Sequence, residues 1–144
     1  MKHYLPGALL VCSLLCISGC VTPVKQTNGT LTTADVSAIS SDISKDSVTF
    51  LSKQFSPANT RFNITQNVLS TDTFSQVFID QLRQRGFEIQ ENASANAYNN
   101  MNFTLDNNDS LGFIRILINI DNSTYSRCYS SSGSPLSSWS VIKK

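Results

Sequence analysis

The sequence predicts an α+β domain, with two helices packed on one face of a mainly antiparallel sheet of about five to six strands. Apolar residues recur at helical spacing in two separate stretches, near 33–54 and 73–85. Each stretch is followed by a short segment of strand-like alternation. Beyond residue 100 the alternation continues through several runs separated by turn residues, the pattern of an antiparallel meander.

The first helix is expected from Thr33 to about Gln54. Val36, Ile39, Ile43, Phe50 and Leu51 recur near helical spacing, and Thr32-x-x-Asp35 resembles a capping box with Asp in place of Glu. Its many serines are weak helix formers, so packing must hold it. Pro57 ends it. Thr60 to Gln66 reads as a half-exposed strand, with Phe62 and Ile64 inward and Arg61, Asn63 and Thr65 outward.

Ser70-Thr71-Asp72 starts the second helix. Phe74, Val77, Phe78 and Leu82 make one apolar stripe. Asp72 near its start and Arg83 and Arg85 near its end suit the helix dipole, and Gly86 fits a left-handed C-terminal cap. Phe87-Glu88-Ile89 reads as the second strand, and 92–100 as a polar loop. Strands are expected at Met101 to Leu105 and Leu111 to Ile120. Ile114, Ile116, Ile118 and Ile120 face the core in the latter, and Phe113 and Leu117 suggest a partly covered second face. Asp121-Asn122 makes a turn. Tyr125, Arg127 and Tyr129 alternate with Ser126, Cys128 and Ser130. Residues 131–135 turn again, and Trp139 to Ile142 form a last strand.

Ahead of this domain, Lys2 and His3 precede an apolar run from Leu5 to Ile17 that closes on Ser18-Gly19-Cys20. The run is shorter than the roughly 20 residues of a spanning helix and ends in small residues, as cleaved export signals do. It resembles a bacterial lipoprotein signal. The resemblance implies cleavage before Cys20 and acylation of Cys20 by a diacylglyceryl thioether and an amide-linked chain such as palmitate. Several chains anchor stably where one binds marginally. The alternative is an ordinary secretory signal and an unmodified Cys20. Val21 in place of Asp after the cysteine resembles the pattern sorted to the outer membrane, facing the periplasm. The expected organisation is a signal over 1–19, a lipidated tether over 20–32 and one periplasmic α+β domain over 33–144.

The chain carries 11 basic and 10 acidic residues, and loss of Lys2 with the signal leaves ten of each. A neutral domain without a basic face gives no support for direct nucleic-acid binding. Cys12 and Cys16 leave with the signal and Cys20 is acylated, so Cys128 is the one remaining thiol. It reads either as a small buried hydrophobe or as an intermolecular thiol pairing with a partner protein.

His3 is the single histidine and lies in the signal. The mature chain therefore lacks the commonest general base and metal ligand. Asp106-Asn107-Asn108-Asp109 could suggest a calcium loop, but it lacks the later glycine and glutamate of an EF-hand and reads as a hairpin turn. No catalytic residue, metal site, cofactor or small-molecule substrate is expected, and the chain does not read as an enzyme. Candidate partner contacts are Tyr125, Arg127, Tyr129 and Trp139, which read equally as a cross-strand aromatic cluster. Arg83 and Arg85 are candidates for an anionic partner, against a solvated helix end.

Three segments together resemble the conjugal transfer lipoprotein family TrbH. They are Phe55-Ser56-Pro57-Ala58-Asn59-Thr60; Asp72-Thr73-Phe74 running to Leu82-Arg83-Gln84-Arg85-Gly86-Phe87; and Tyr125-Ser126-Arg127-Cys128-Tyr129, followed by Trp139-Ser140-Val141. With the lipobox the resemblance covers nearly the whole chain. The stretch at 92–100 matches no family pattern. The resemblance implies an outer-membrane lipoprotein acting as a structural component of a conjugative type IV secretion system for mating-pair formation. Its partners would be the membrane, through the lipid, and other channel proteins. The family brings no catalytic residues. The competing expectation is a periplasmic ligand- or protein-binding lipoprotein module unrelated to conjugation.

Overall fold

A computed structural model describes residues 36–93, 97–108 and 111–144. The expected signal, Cys20, the tether and the capping box at Thr32–Asp35 lie outside the described residues. Helix α1 spans Val36–Gln54 and α2 spans Thr73–Gln84, with a short 3-10 turn at Pro57–Asn59. The strands are β1 Arg61–Ile64, β2 Glu88–Glu91, β3 Asn99–Asn108, β4 Phe113–Ile120, β5 Ser123–Ser130 and β6 Ser140–Lys143. They form one sheet in the order β2-β1-β3-β4-β5-β6.

The second helix forms where the residues ask for it. The Asp72 side chain accepts from the Ser75 amide at 3.2 Å and from the Ser75 hydroxyl at 2.6 Å, satisfying an orphan donor of the first turn. At the other end Gly86 takes φ 98°, its amide donates to Arg83, and the Phe87 amide reaches back to Leu82. This is a Schellman closure, and the residues at its two ends, Leu82 and Phe87, are both buried in the core. Phe74, Phe78, Ile79 and Leu82 are buried, and both phenylalanines meet Phe103 of β3 edge-on.

The antiparallel meander is present as expected: β3, β4, β5 and β6 pair consecutively. The four isoleucines of β4 are all buried, while Phe113 and Leu117 on the other face are half-buried. The remainder of the sheet is parallel. β1 pairs parallel with both β2 and β3, so the mixed sheet remains mostly antiparallel.

Several boundaries differ from the sequence reading, each for a local reason. The polar loop ends earlier, because Asn99 and Asn100 pair with Phe62 and Asn63 at the start of β3. The segment Asp106–Asn108 is strand, held in register with Phe113–Arg115, rather than part of a hairpin turn. Leu111 is 68% exposed in the turn, and β4 begins at Phe113. Trp139 precedes the last strand. β1 is shorter than expected and is not half-exposed: Asn63 is 4% exposed. Its amide nitrogen donates to the Ala93 carbonyl at 3.1 Å, and its oxygen accepts from the Ala93 amide at 2.9 Å. Ala93 leaves β2 over the helix-free face of β1. The chain passing there covers Asn63, and the side-chain amide satisfies backbone groups with no sheet partner.

Candidate functional site

Both helices cover one sheet face, and the sheet has two edges. Each is a place to look for function. On the helix side, Tyr125, Arg127 and Tyr129 share the face of Ile114, Ile116 and Ile118 by register. The Tyr129 hydroxyl donates to Asp46 Oδ2 of α1 at 2.6 Å, and Arg127 Nη1 donates to both oxygens of that carboxylate at 2.9 and 3.1 Å. Burial and the bonded carboxylate hold the Tyr129 phenol far above its usual pKa, because an anion there would be poorly solvated and would face Asp46. Arg127 Nε donates to the Ser137 carbonyl at 2.8 Å. Trp139 stacks on Phe50 of α1, centroids 4.3 Å apart, and the Arg127 guanidinium lies 6.0 Å from the indole.

The structure thus gathers all the aromatic candidates but turns them inward. Tyr125 and Tyr129 are buried, and Trp139 is half-buried. They form the cross-strand cluster that docks α1, and Tyr125 also lines a groove beside β6. Asp46, which the sequence reading did not single out, is the residue that it missed. Its signal was weak: one of two acids in the helix, with Asp42, three residues past the buried Ile43.

Arg83 and Arg85 sit at the end of α2, away from that cluster. Arg83 pairs with Glu91 at 3.0 Å and Asp80 at 3.6 Å. Arg85 donates to the Ser52 hydroxyl at 3.3 Å. Arg85 and Lys45 flank a shallow groove between the helices, about 240 Å³ in volume. Cys128 is a free, half-buried thiol on the helix-free face, in register with Arg115. Arg115 in turn holds Asp106 at 2.7 Å, a carboxylate only 7% exposed. Among the described residues no cluster of His, Cys, Asp and Glu is arranged to hold a metal, and no helix is long and apolar enough to cross a membrane.

The two edges contrast. β2 presents Glu88 and Glu91, each paired with an arginine, Arg61 at 2.9 Å and Arg83 at 3.0 Å. β6 is exposed along all four residues, including Val141 at 45% and Ile142 at 57%. Beside it runs a groove of about 400 Å³ lined by Phe55, Tyr125, Val141, Asp121 and Lys143. An open edge is what an added strand uses, with main-chain bonds for affinity and adjoining pockets for selectivity.

The fold is a small helix-backed mixed sheet with one acidic, arginine-paired edge and one exposed edge. The chain belongs to the TrbH family: the family model described as conjugal transfer protein TrbH matches residues 23–144. It is a component of conjugal transfer. No curated protein and no solved structure matches it.

Proposed function

We propose that the protein is a lipid-anchored assembly component of a conjugative type IV secretion apparatus. Cys20 carries the acyl chains, and the domain faces the periplasm from the outer membrane. The mechanism is recruitment by tethering: the lipid confines the domain to a surface and raises its effective concentration for neighbouring subunits. The observation that supports contact over catalysis is the β6 edge, exposed and apolar beside an open groove. The anchor rests on the lipobox before Cys20.

Cys20→Ser tests the anchor. The variant is expected in the soluble fraction, with reduced plasmid transfer at equal protein level. Normal transfer from a soluble variant would defeat the tethering mechanism. Substitutions at the β6 edge test assembly separately, by loss of channel components from the affinity-purified protein.

A further inference from the structure

We propose that the free edge of β6 receives an extended acidic segment of a partner protein as an added antiparallel strand, with an acidic residue opposite Lys143 and an apolar residue opposite Val141. The proposal deepens the reading of β6 as an assembly contact and rests on it. The Lys144 amide donates to the Asn122 carbonyl at 2.8 Å. In an antiparallel ladder such bonds alternate, so Ile142 and Ser140 also turn their backbone groups toward β5. Val141 and Lys143 turn theirs outward, and the N–H and C=O of these two residues are the open edge. Val141 and Ile142 are neighbouring exposed apolar residues on opposite faces of the strand, so a strand laid alongside shields both.

Charge selects the occupant. β6 contains Lys143, is followed by Lys144 and has no acid. Arg61, Arg83, Arg115 and Arg127 each hold a carboxylate, whereas among the described residues neither Lys143 nor Lys144 has an ion-pair partner. A lysine on an open edge guards it against its own kind, because two such edges repel. Opposite charges across a strand pair attract, so an acidic strand is favoured. Asp121, the acid that lines the adjoining groove, is turned to the start of β3, where its Oδ1 accepts from the Asn100 amide at 2.9 Å. At the other edge Glu88 and Glu91 make β2 a poor site for the same strand.

Val141 is in register with the buried Tyr125, so the side chains of Val141 and Lys143 lie on the helix face. The partner residues opposite them lie on that face too, two positions apart. In an antiparallel strand the acid comes first, then one residue, then the apolar side chain. That side chain sits beside the groove of about 400 Å³ lined by Phe55, Tyr125 and Val141. A strand of this length buries well under the roughly 1,000 Å² of a stable interface. The contact is therefore of the peptide-recognition kind, made effective by high local concentration.

The test selects a phage-displayed library of random linear peptides on the protein made from the full-length chain and purified in detergent. The expected winners carry an acidic residue, one intervening residue and an apolar residue, in that order. On Lys143→Glu, with unchanged circular dichroism, the first residue should become basic. A synthetic winner should slow amide exchange at Val141 and Lys143 and leave Ile142, already bonded to β5, unchanged. With its acid changed to lysine, it should bind the unsubstituted protein about tenfold more weakly and regain affinity for Lys143→Glu. Val141→Pro removes the outward amide and should abolish binding, while Val141→Ile keeps it. Winners without an acid, or indifferent to Lys143→Glu, overturn the acidic partner. The reverse order of acid and apolar residue overturns the antiparallel register. A selection that yields no peptide overturns strand addition. If the selection fails while β6 substitutions still detach channel components, the partner chemistry is wrong and the assembly reading stands. If those substitutions detach nothing either, both fall.

Discussion

Helices α2 and α1 cover the same face of the sheet and are held there by different forces. α2 offers aromatic and aliphatic area to Phe103 and its neighbours, and both its ends are closed by local bonds. The buried stripe of α1 interleaves Ile43, Val48 and Leu51 with Ser40, Ser44 and Ser47, which contribute little apolar area. Ser40 and Ser44 have no hydrogen-bond partner for their hydroxyls. Added to that burial are directional contacts: the Asp46 carboxylate bonded to Arg127 and Tyr129, and the Phe50–Trp139 stack. Burial tolerates small shifts; a three-membered polar bond set does not. The half of the domain nearest the expected tether is therefore the half with the more specific and more breakable attachment.

Removing a fully buried phenylalanine should give the largest effect. Phe78→Ala is expected to cost about 3–5 kcal/mol, read by urea unfolding with circular dichroism, with the whole domain unfolding together. Asp46→Ala should cost about 2–3 kcal/mol, because it strands a charged donor and a phenol in partly buried surroundings. Here the probe matters. Trp139 is the single tryptophan, and its stacking on Phe50 makes its fluorescence a reporter of α1 docking. In Asp46→Ala it should change at lower urea than the circular dichroism. Coincident transitions would show that the two helices are one cooperative unit and remove the contrast.

Asp72→Ala removes the α2 cap alone and should cost about 1 kcal/mol, leaving the tryptophan signal tied to the global transition. At neutral pH Tyr129→Phe should have a similarly small effect, about 1 kcal/mol for the lost bond. Its pH dependence is more telling. The Tyr129 pKa is raised in the folded state, so the folded protein holds this proton after the unfolded chain has released it. Its contribution is complete below about pH 10, the unfolded tyrosine value, and declines as pH rises above that. Tyr129→Phe should lose this part of the alkaline decline. An unchanged alkaline profile would place its cause in other groups.

The legibility of the fold in the sequence follows the same division. α2 was readable because its signals are local: a capping Asp72, a stripe at helical spacing and Gly86 in succession. The meander was readable because its strands are neighbours in sequence and β4 alternates over its whole length. The parallel pairs of β1 were not, since they depend on β2 and β3, which arrive only after a helix or another strand. Asn63 looked like an exposed strand residue for the same reason: what covers it, Ala93, is 30 residues away. The aromatic set around Arg127 was visible as a cluster, but its inward direction was set by Asp46, whose role no spacing within β5 announces. The β6 edge is a property of sheet order, visible only once that order is known.

The bonds from Asp46 to Arg127 and Tyr129 span 81 and 83 residues of chain. They join the first described element to one of the last. β1 likewise has no sheet neighbour until the chain has gone on to β2 and β3. In a chain emerging from its N-terminus, α1, β1, α2 and β2 can associate early, but the polar bonds from Asp46 form only once residues 127–129 are out. The attachment of α1 to β5 is therefore among the last long-range contacts of the domain to become available.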